Sequence, residues 1–276
     1  MESSTVAVQE RARGGTRLGE TRRTDRWWIP PLSVAVGLAV CGAYATWAIF
    51  EVPLFGVEIF AAGNYFVEPY LSPFYSPCLA SSCPAEVRIL GIEGWRFSPA
   101  ILLMWVILGF RATCYYYRKA YYRAYFLDPP ACGVGEGRGE RYSGETSFPL
   151  ILQNFHRYFL YPSLLILGFL WYDTIEAFLF ADGIGVGVGS LVLLVNVVLL
   201  SGYLLGCHSL RHLVGGGVGC YSCARFGKAR HRMWKGASFF NRAHMPWAWA
   251  SLIFVCVADL YVRLVATGVI TDIRLL

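Results

Sequence analysis

Long uncharged stretches of apolar residues alternate along the chain with polar connections that collect the charged residues. Five apolar blocks are evident, and their ends are marked by charge, Trp, Tyr or Pro. A hydrocarbon core about 30 Å thick takes about 20 helical residues to cross. The block from Phe97 to Phe110 is shorter than this and reaches the length only if its helix continues past Arg111. The pattern predicts membrane-spanning helices at about 29–50, 97–125, 157–181, 186–212 and 245–268.

The composition agrees with a polytopic membrane protein. The 276-residue chain is 56% hydrophobic and 15% charged, whereas an average soluble domain is about 25% charged. In lipid the backbone must satisfy its own hydrogen bonds, and the blocks lack the alternating strands of a β-barrel. We therefore expect an all-α protein, a five-helix transmembrane bundle over residues 27–276 in the lipid bilayer of the inner (plasma) membrane. The polar, Arg-rich residues 1–26 are expected to form a flexible cytoplasmic tail.

Lys and Arg are concentrated in three connections, and this asymmetry predicts the orientation. Residues 1–31 hold six of them, 111–158 hold seven and 207–243 hold seven, which makes 20 of the 24 in the chain. The rule that basic loops stay inside places the N-terminus in the cytoplasm and the C-terminus outside. The net charge of +6 follows largely from this bias and needs no nucleic-acid partner, although the basic inner surface could receive an acidic soluble partner.

The nine cysteines divide between the two sides of the membrane. Cys78 and Cys83 lie in the predicted outer loop 51–96, where we expect them to form a disulfide in an oxidising compartment. Two further cysteines lie in apolar helix interiors and are expected to act as small hydrophobic residues. The other five lie on the reducing inner side, as thiols or metal ligands. They are Cys114, Cys132, Cys207, Cys220 and Cys223, and the last two form a lone Cys-x-x-Cys for which a loop role is favoured over zinc or redox chemistry.

All five histidines are also predicted on the inner side, and four of them lie at the inner ends of helices three, four and five. Titratable groups at membrane depth are functional candidates, although interfacial histidines can also simply tolerate lipid headgroups. His and Cys together are ligands for transition metals. Cys114 lies between Arg111 and Arg118, and Cys207 has Arg211 four residues later. Neighbouring cations favour the thiolate that ligation needs, although inert thiols near lipid phosphates would show the same pattern.

At this point the chain resembles a known family, the membrane anchors of complex II in the succinate dehydrogenase and fumarate reductase family. The motifs are Asn-Phe-His-Arg-Tyr around His156 and Ser-Leu-Arg-His-Leu around His212, within a five-helix single chain. The resemblance implies a flavoprotein partner that oxidises succinate, an iron–sulfur partner that relays electrons, and quinone reduction at the anchor. Further stretches that resemble one branch of these anchors surround Cys114, Cys132 and Asp259.

The chain departs from anchors that hold two b hemes, because helices one and two carry no histidine and none lies near the outer side. A single heme b between two inner histidines stays open, for example His156 with His212 or His244, as does an anchor without metal. We favour a Rieske-like [2Fe-2S] centre, because two thiolates and two imidazoles are what the inner side offers. The expected metal ligands are Cys114, Cys207, His156 and His244, with His208 in reserve.

The remaining candidates concern quinone and the bundle interior. Arg211 and His212 could donate hydrogen bonds to the quinone carbonyl that gains charge on reduction. Tyr158 and Trp247 could wall the quinone ring, although an interfacial aromatic belt would place them similarly. Asp259 and Arg263 are four residues apart in helix five, which suits an intrahelical ion pair better than a proton route.

These observations favour the membrane anchor of a succinate dehydrogenase, with the dehydrogenase active site on another subunit and quinone reduced near the cytoplasmic face. One alternative is a b-type cytochrome that serves another quinone-linked dehydrogenase. Another is a transporter or scaffold without a redox role, which would show more polar residues at mid-membrane depth. The sequence leaves the oligomeric state open, a higher oligomer included.

Overall fold

The structure, a computed structural model, describes residues 17–55, 66–75, 101–136 and 144–276. Helices make up most of this part of the chain, as the apolar blocks predict. The α-helices are α1 (Ile29–Phe55), α2 (Ile101–Ala112), α3 (Tyr115–Tyr121), α4 (His156–Glu176), α5 (Val188–Leu205), α6 (His208–Arg211), α7 (Gly227–Arg242) and α8 (His244–Ala266). Short 3-10 turns cover Gly144–Thr146 and Leu150–Phe155, and π-helical turns cover Tyr122–Phe126 and His212–Gly216.

Four helical segments in the described part are long and apolar enough to cross a membrane. They are Ile29–Ile49, Leu150–Glu176, Val188–Leu205 and His244–Ala266. Predicted helices one, three, four and five are therefore present. The second predicted helix is represented by a shorter apolar helix over Leu103–Ala112, and its predicted start at Phe97 lies outside the described residues.

The expectation of one continuous helix over 97–125 is wrong. Cys114 has extended backbone angles, φ −65° and ψ 129°, and separates α2 from α3. The fourth predicted helix is interrupted in the same way, because Cys207 has φ −63° and ψ 134° between α5 and α6. A single extended residue removes helical hydrogen bonds and lets a new helix start. Both predicted thiolate ligands thus stand at helix breaks.

Backbone contacts divide the chain into two compact units. The first comprises Met1–Gly42 with Arg111–Phe155, and the second comprises Ala43–Phe110 with His156–Leu276. In the first unit, Tyr125 donates a hydrogen bond to the carbonyl of Ala35 at 2.7 Å, and Arg118 pairs with Glu145 at 2.9 Å.

In the second unit, α8 packs against α5, and α5 packs against α4. Small residues allow this close packing, as is usual between helices in lipid. The core between these helices and the segment 66–75 contains Tyr70, Ala177, Leu193, Ala258 and Val262, which are all nearly fully buried.

Two short antiparallel hairpins follow the predicted outer ends of the helices. β1 (Phe66–Val67) pairs with β2 (Tyr70–Leu71), and β3 (Leu179–Phe180) pairs with β4 (Gly183–Ile184). Burial and the Asp272 carboxylate, which accepts the Tyr70 hydroxyl at 2.6 Å, raise the pKa of Tyr70 to about 12. The predicted Cys78–Cys83 disulfide lies outside the described residues.

The predicted ion pair in helix five is confirmed. The guanidinium Nε of Arg263 lies 2.8 Å from the carboxylate of Asp259, and both side chains are fully buried. The same carboxylate accepts hydrogen bonds from the hydroxyls of Tyr44 and Ser72. A buried charge needs such partners, so this network holds α8 against α1 and the segment that contains Ser72.

Candidate functional site

The imidazole of His156 and the thiol of Cys207 meet where α4 begins and α5 has just ended. His156 Nε2 lies 3.2 Å from Cys207 Sγ. Both residues are buried, with 6% of His156 and none of Cys207 exposed. The structure therefore brings together one predicted imidazole ligand, at the start of a helix, and one predicted thiolate ligand, at a helix break.

The position of Cys207 is fixed by the close approach of α7 to the preceding glycine. The carbonyl of Gly206 accepts a hydrogen bond from the side-chain amide of Asn241 at 2.7 Å. A Cβ on Gly206 would lie 3.0 Å from the carbonyl oxygen of Phe240, so a larger residue would push the two segments apart. The helix break at Cys207 is therefore held by tertiary contacts as well as by its own backbone angles.

Aromatic rings link His156 to a second predicted ligand, His244, which begins α8. The ring of Phe110 stacks on His156 with centroids 4.5 Å apart, and Tyr203 stacks on His244 with centroids 5.1 Å apart. Phe110 and Tyr203 meet edge to face at 5.6 Å. The two imidazoles thus flank one continuous aromatic cluster.

The other predicted metal ligands differ in burial. Cys114 is buried in the first unit, before α3, with 3% of its surface exposed. His208 is the exposed first residue of α6. Across residues 17–55, 66–75, 101–136 and 144–276, no three His, Cys, Asp or Glu side chains form a group that could hold a metal ion.

The four predicted quinone contacts are spread over four elements. Arg211 Nε donates to the hydroxyl of Ser238 at 2.9 Å, and its guanidinium lies 5.1 Å from the ring centroid of Trp234. His212 is exposed at the start of the π-helical turn. The structure thus places Arg211 against α7 and leaves the neighbouring imidazole at the surface.

The two aromatic residues that are predicted beside the quinone ring differ in burial. Tyr158 is 57% exposed, and Arg157 lies over its ring at 5.0 Å. Trp247 is half-buried and packs against Gly202, while its indole Nε1 is buried and has no hydrogen-bond partner within the part of the chain that the structure describes. Of these two residues, only Trp247 offers a buried polar atom to a ligand.

Sequence reasoning missed the aromatic partners Phe110 and Tyr203, although the sequence carries a signal for them. Each stands directly after a glycine and four residues before a predicted thiolate ligand, in Gly-Phe-Arg-Ala-Thr-Cys and Gly-Tyr-Leu-Leu-Gly-Cys. Residues four apart share one face of a helix. The repeated Gly-aromatic-x-x-x-Cys pattern therefore predicts that each ring lies beside its cysteine at the end of a helix.

Cys220 and Cys223 differ from their expected state as thiols or metal ligands, because the structure joins them in a disulfide. Three residues of separation and a Cα–Cα distance of 5.3 Å suit such a bond. The expectation was based on the reducing compartment alone, which does not show whether two adjacent thiols can reach each other.

Taken together, the fold and this cluster define a multi-pass helical membrane protein with a buried histidine–cysteine contact at the end of its spans. A family model described as actinobacterial succinate dehydrogenase subunit SdhC matches residues 29–268. A solved structure described as the Mycobacterium smegmatis Sdh1 complex in the apo form is 40% identical, covering 96% of this chain and 100% of that chain with a TM-score of 0.80. A comparison with curated proteins finds no significant match.

The chain belongs to the actinobacterial SdhC family and is the membrane anchor subunit of a succinate dehydrogenase. The predicted resemblance to complex II anchors is confirmed. Membership of this family argues against the two alternative functions, an anchor of another dehydrogenase and a transporter.

Proposed function

We propose that this subunit binds the flavoprotein and iron–sulfur subunits of succinate dehydrogenase to the membrane and passes their electrons to quinone near the cytoplasmic face. The dehydrogenase active site is then on the flavoprotein. The likeness to a chain of the Sdh1 complex supports these partners. The observation that carries the redox role is the buried contact between His156 and Cys207.

We further propose that this contact is part of a Rieske-like [2Fe-2S] site. Cys207 and His156 would supply one thiolate and one imidazole, and Cys114 and His244 would complete the set. His208 stays the reserve ligand. When bound, such a centre supplies one-electron transfer at a higher potential than an all-cysteine cluster. The fit is supported by the donor chemistry of the buried pair, since soft thiolate and imidazole together suit iron–sulfur centres.

A single heme b is the competing cofactor, and the side-chain arrangement favours it less. A heme held by His156 and a second histidine would need a free coordinating nitrogen on each imidazole. His156 Nε2 instead faces the sulfur of Cys207 at 3.2 Å. A ligand set that includes the thiol explains this orientation better than one made of imidazoles alone.

For quinone, we propose that Arg211 and His212 donate hydrogen bonds to the carbonyl that gains charge on reduction, with Tyr158 and Trp247 beside the ring. Arg211 is held in one orientation by Ser238 and Trp234. A preorganised donor stabilises a developing negative charge more than a mobile donor does. His212 is exposed and can exchange its proton with solvent.

The test compares Cys207→Ser with Cys256→Ser in the purified complex. Cys256 also lies in a membrane-spanning helix, and its thiol donates to the carbonyl of Leu252 at 3.5 Å, so it serves as the control. Succinate oxidation is measured twice, with a soluble acceptor and with quinone. Low-temperature EPR and an optical spectrum are recorded on the same samples.

We expect Cys207→Ser to lose the Rieske-type EPR signal and to slow quinone reduction by about tenfold or more, the scale seen when a metal site is disturbed. Oxidation with the soluble acceptor and the Cys256→Ser variant should keep wild-type rates. An α-band on reduction would instead support the heme. An unchanged spectrum with unchanged quinone reduction in Cys207→Ser and His156→Ala would overturn the ligand assignment.

A further inference from the structure

The segment between α6 and α7 folds back on itself around the Cys220–Cys223 disulfide. Both cysteines are exposed. The segment from Cys207 to Ala243 contains seven Lys and Arg and no Asp or Glu, so the loop-charge rule predicts it in the cytoplasm. Disulfides in a reducing cytoplasm are usually transient, and they serve redox sensing or catalysis more often than stability.

We propose that Cys220 and Cys223 are a thiol–disulfide exchange site for soluble dithiols, and that their oxidised state fixes the turn that carries His212. The part of this proposal that concerns quinone rests on the proposed function. The exchange itself depends only on the two cysteines and their surroundings.

Tyr221, the first of the two residues between the cysteines, connects the disulfide ring to the turn. Its hydroxyl donates to the carbonyl of Gly215 at 2.8 Å, and Gly215 belongs to the π-helical turn His212–Gly216. Its ring lies beside His231 of α7, with centroids 4.8 Å apart. A closed ring of four residues restricts the backbone of Tyr221, so opening the ring loosens its contacts with both sides.

The turn is tightly packed, so a change at Tyr221 reaches it directly. Gly215 is buried, and a Cβ there would lie 2.8 Å from the carbonyl of Arg230 and 3.2 Å from the Tyr221 hydroxyl. At the near end of the turn, the ring of His212 lies against Gly217. Movement of Tyr221 therefore alters the packing around the predicted quinone donor.

The surroundings of the two sulfurs also indicate which cysteine is the leaving group when a thiolate attacks the disulfide. The backbone amide of Cys223 donates to Cys220 Sγ at 3.2 Å, and the Ser222 hydroxyl lies 3.2 Å from the same sulfur. These groups stabilise Cys220 as a thiolate. A better-stabilised thiolate is the better leaving group in exchange.

The exchange consists of two successive displacements at sulfur. One thiolate of a soluble dithiol attacks Cys223 Sγ, the Cys220–Cys223 bond breaks, and Cys220 leaves as a thiolate that takes up a proton. The second thiol of the reductant then loses its proton and displaces Cys223. The chain gains two thiols, and the dithiol becomes a disulfide after giving up two electrons and two protons.

The experiment uses the purified complex, oxidised in air and then treated or not with dithiothreitol. Free thiols are labelled with a polyethylene-glycol maleimide and counted by the shift on a denaturing gel. Cys132→Ser is the control, because Cys132 is another exposed cysteine outside this loop. We expect reduction to add two more labels in the wild type and in Cys132→Ser than in Cys220→Ser/Cys223→Ser, in which only the predicted Cys78–Cys83 bond can open.

The coupling to quinone is measured as KM before and after reduction. We expect reduction to change KM by about fivefold, the lower end of usual allosteric couplings, and the double variant to show no such change. Full labelling of both cysteines before reduction, or a disulfide that resists the dithiol, would overturn the exchange site. Labelling that changes while KM stays constant would overturn the coupling. A complex without any quinone activity would refute the proposed function and leave the labelling result readable.

Discussion

The carboxylate of Asp259 and the guanidinium of Arg263 are not equivalent partners in their buried network. Arg263 also donates to the carbonyl of Ala48 at 3.0 Å and lies over the ring of Trp47 at 5.2 Å. A guanidinium cannot lose its proton inside a protein, whereas a buried carboxyl can become neutral. Removing one or the other should therefore have different consequences.

We predict that Asp259→Leu destabilises the protein more than Arg263→Met. Asp259→Leu leaves a charged guanidinium without its carboxylate, which costs about 3–5 kcal/mol. In Arg263→Met the Asp259 side chain keeps the hydrogen bonds from the Tyr44 and Ser72 hydroxyls. The double variant should be closer to wild type than Asp259→Leu is. Thermal unfolding of the purified complex in detergent measures all three, and an equal loss in both single variants would contradict the argument.

At the scale of helices, the close approach of α5 and α8 depends on a glycine. A Cβ on Gly202 would lie 2.6 Å from two ring carbons of Trp247, a distance that real Cβ atoms do not reach. Gly168 in α4 is different, because a Cβ there would meet nothing within 4 Å. The two glycines therefore form a matched pair for testing helix packing.

We predict that Gly202→Leu displaces Trp247 and separates α5 from α8. The free energy of unfolding should fall by about 1–3 kcal/mol, as is usual for overpacked cores. Gly168→Leu should leave stability unchanged, since its new side chain faces open space. The melting temperature of the complex and the share of anchor that copurifies with the other subunits measure the effect. Equal behaviour of the two variants would show that Gly202 has no special packing role.

Element prediction from the sequence succeeded where it depended on length and apolar content. The blocks at 29–50, 157–181, 186–212 and 245–268 each contain a helix long enough to span a membrane. The breaks at Cys114 and Cys207 were not predicted, because a single extended residue hardly changes the apolar pattern of a long window. At Cys207 the break is held by tertiary contacts, such as those of Gly206 with α7.

The site could be predicted only in part for the same reason. His156 and Cys207 were selected from residue type and their position at helix ends, and the structure places them in contact. Their spacing of 51 residues gives no register between α4 and the end of α5, so the sequence could not pair them. The disulfide of Cys220 and Cys223 was not predicted, because the interpretation relied on the reducing compartment and not on the distance between the two thiols.

At the scale of the whole molecule, the number of membrane crossings determines whether the two termini lie on the same side. The described residues contain four helices long enough to span, and the shorter helix over Leu103–Ala112 would provide a fifth crossing if residues before it extend it. Five crossings place the termini on opposite sides, and four place them on the same side. The distribution of Lys and Arg favours five, because the connections 111–158 and 207–243 hold seven each, whereas 51–96 holds two.

We predict that the C-terminus is outside and the N-terminus is in the cytoplasm. A green fluorescent protein fused after Leu276 should then stay dark, while the same protein fused before Met1 should fluoresce, which controls for expression. Alkaline phosphatase needs disulfides that form only outside, so its C-terminal fusion should be active. A fluorescent C-terminal fusion with inactive phosphatase would mean an even number of crossings. In that case Cys220 and Cys223, which lie one span before the C-terminus, would face the oxidising side, and the exchange with cytoplasmic dithiols would lose its basis.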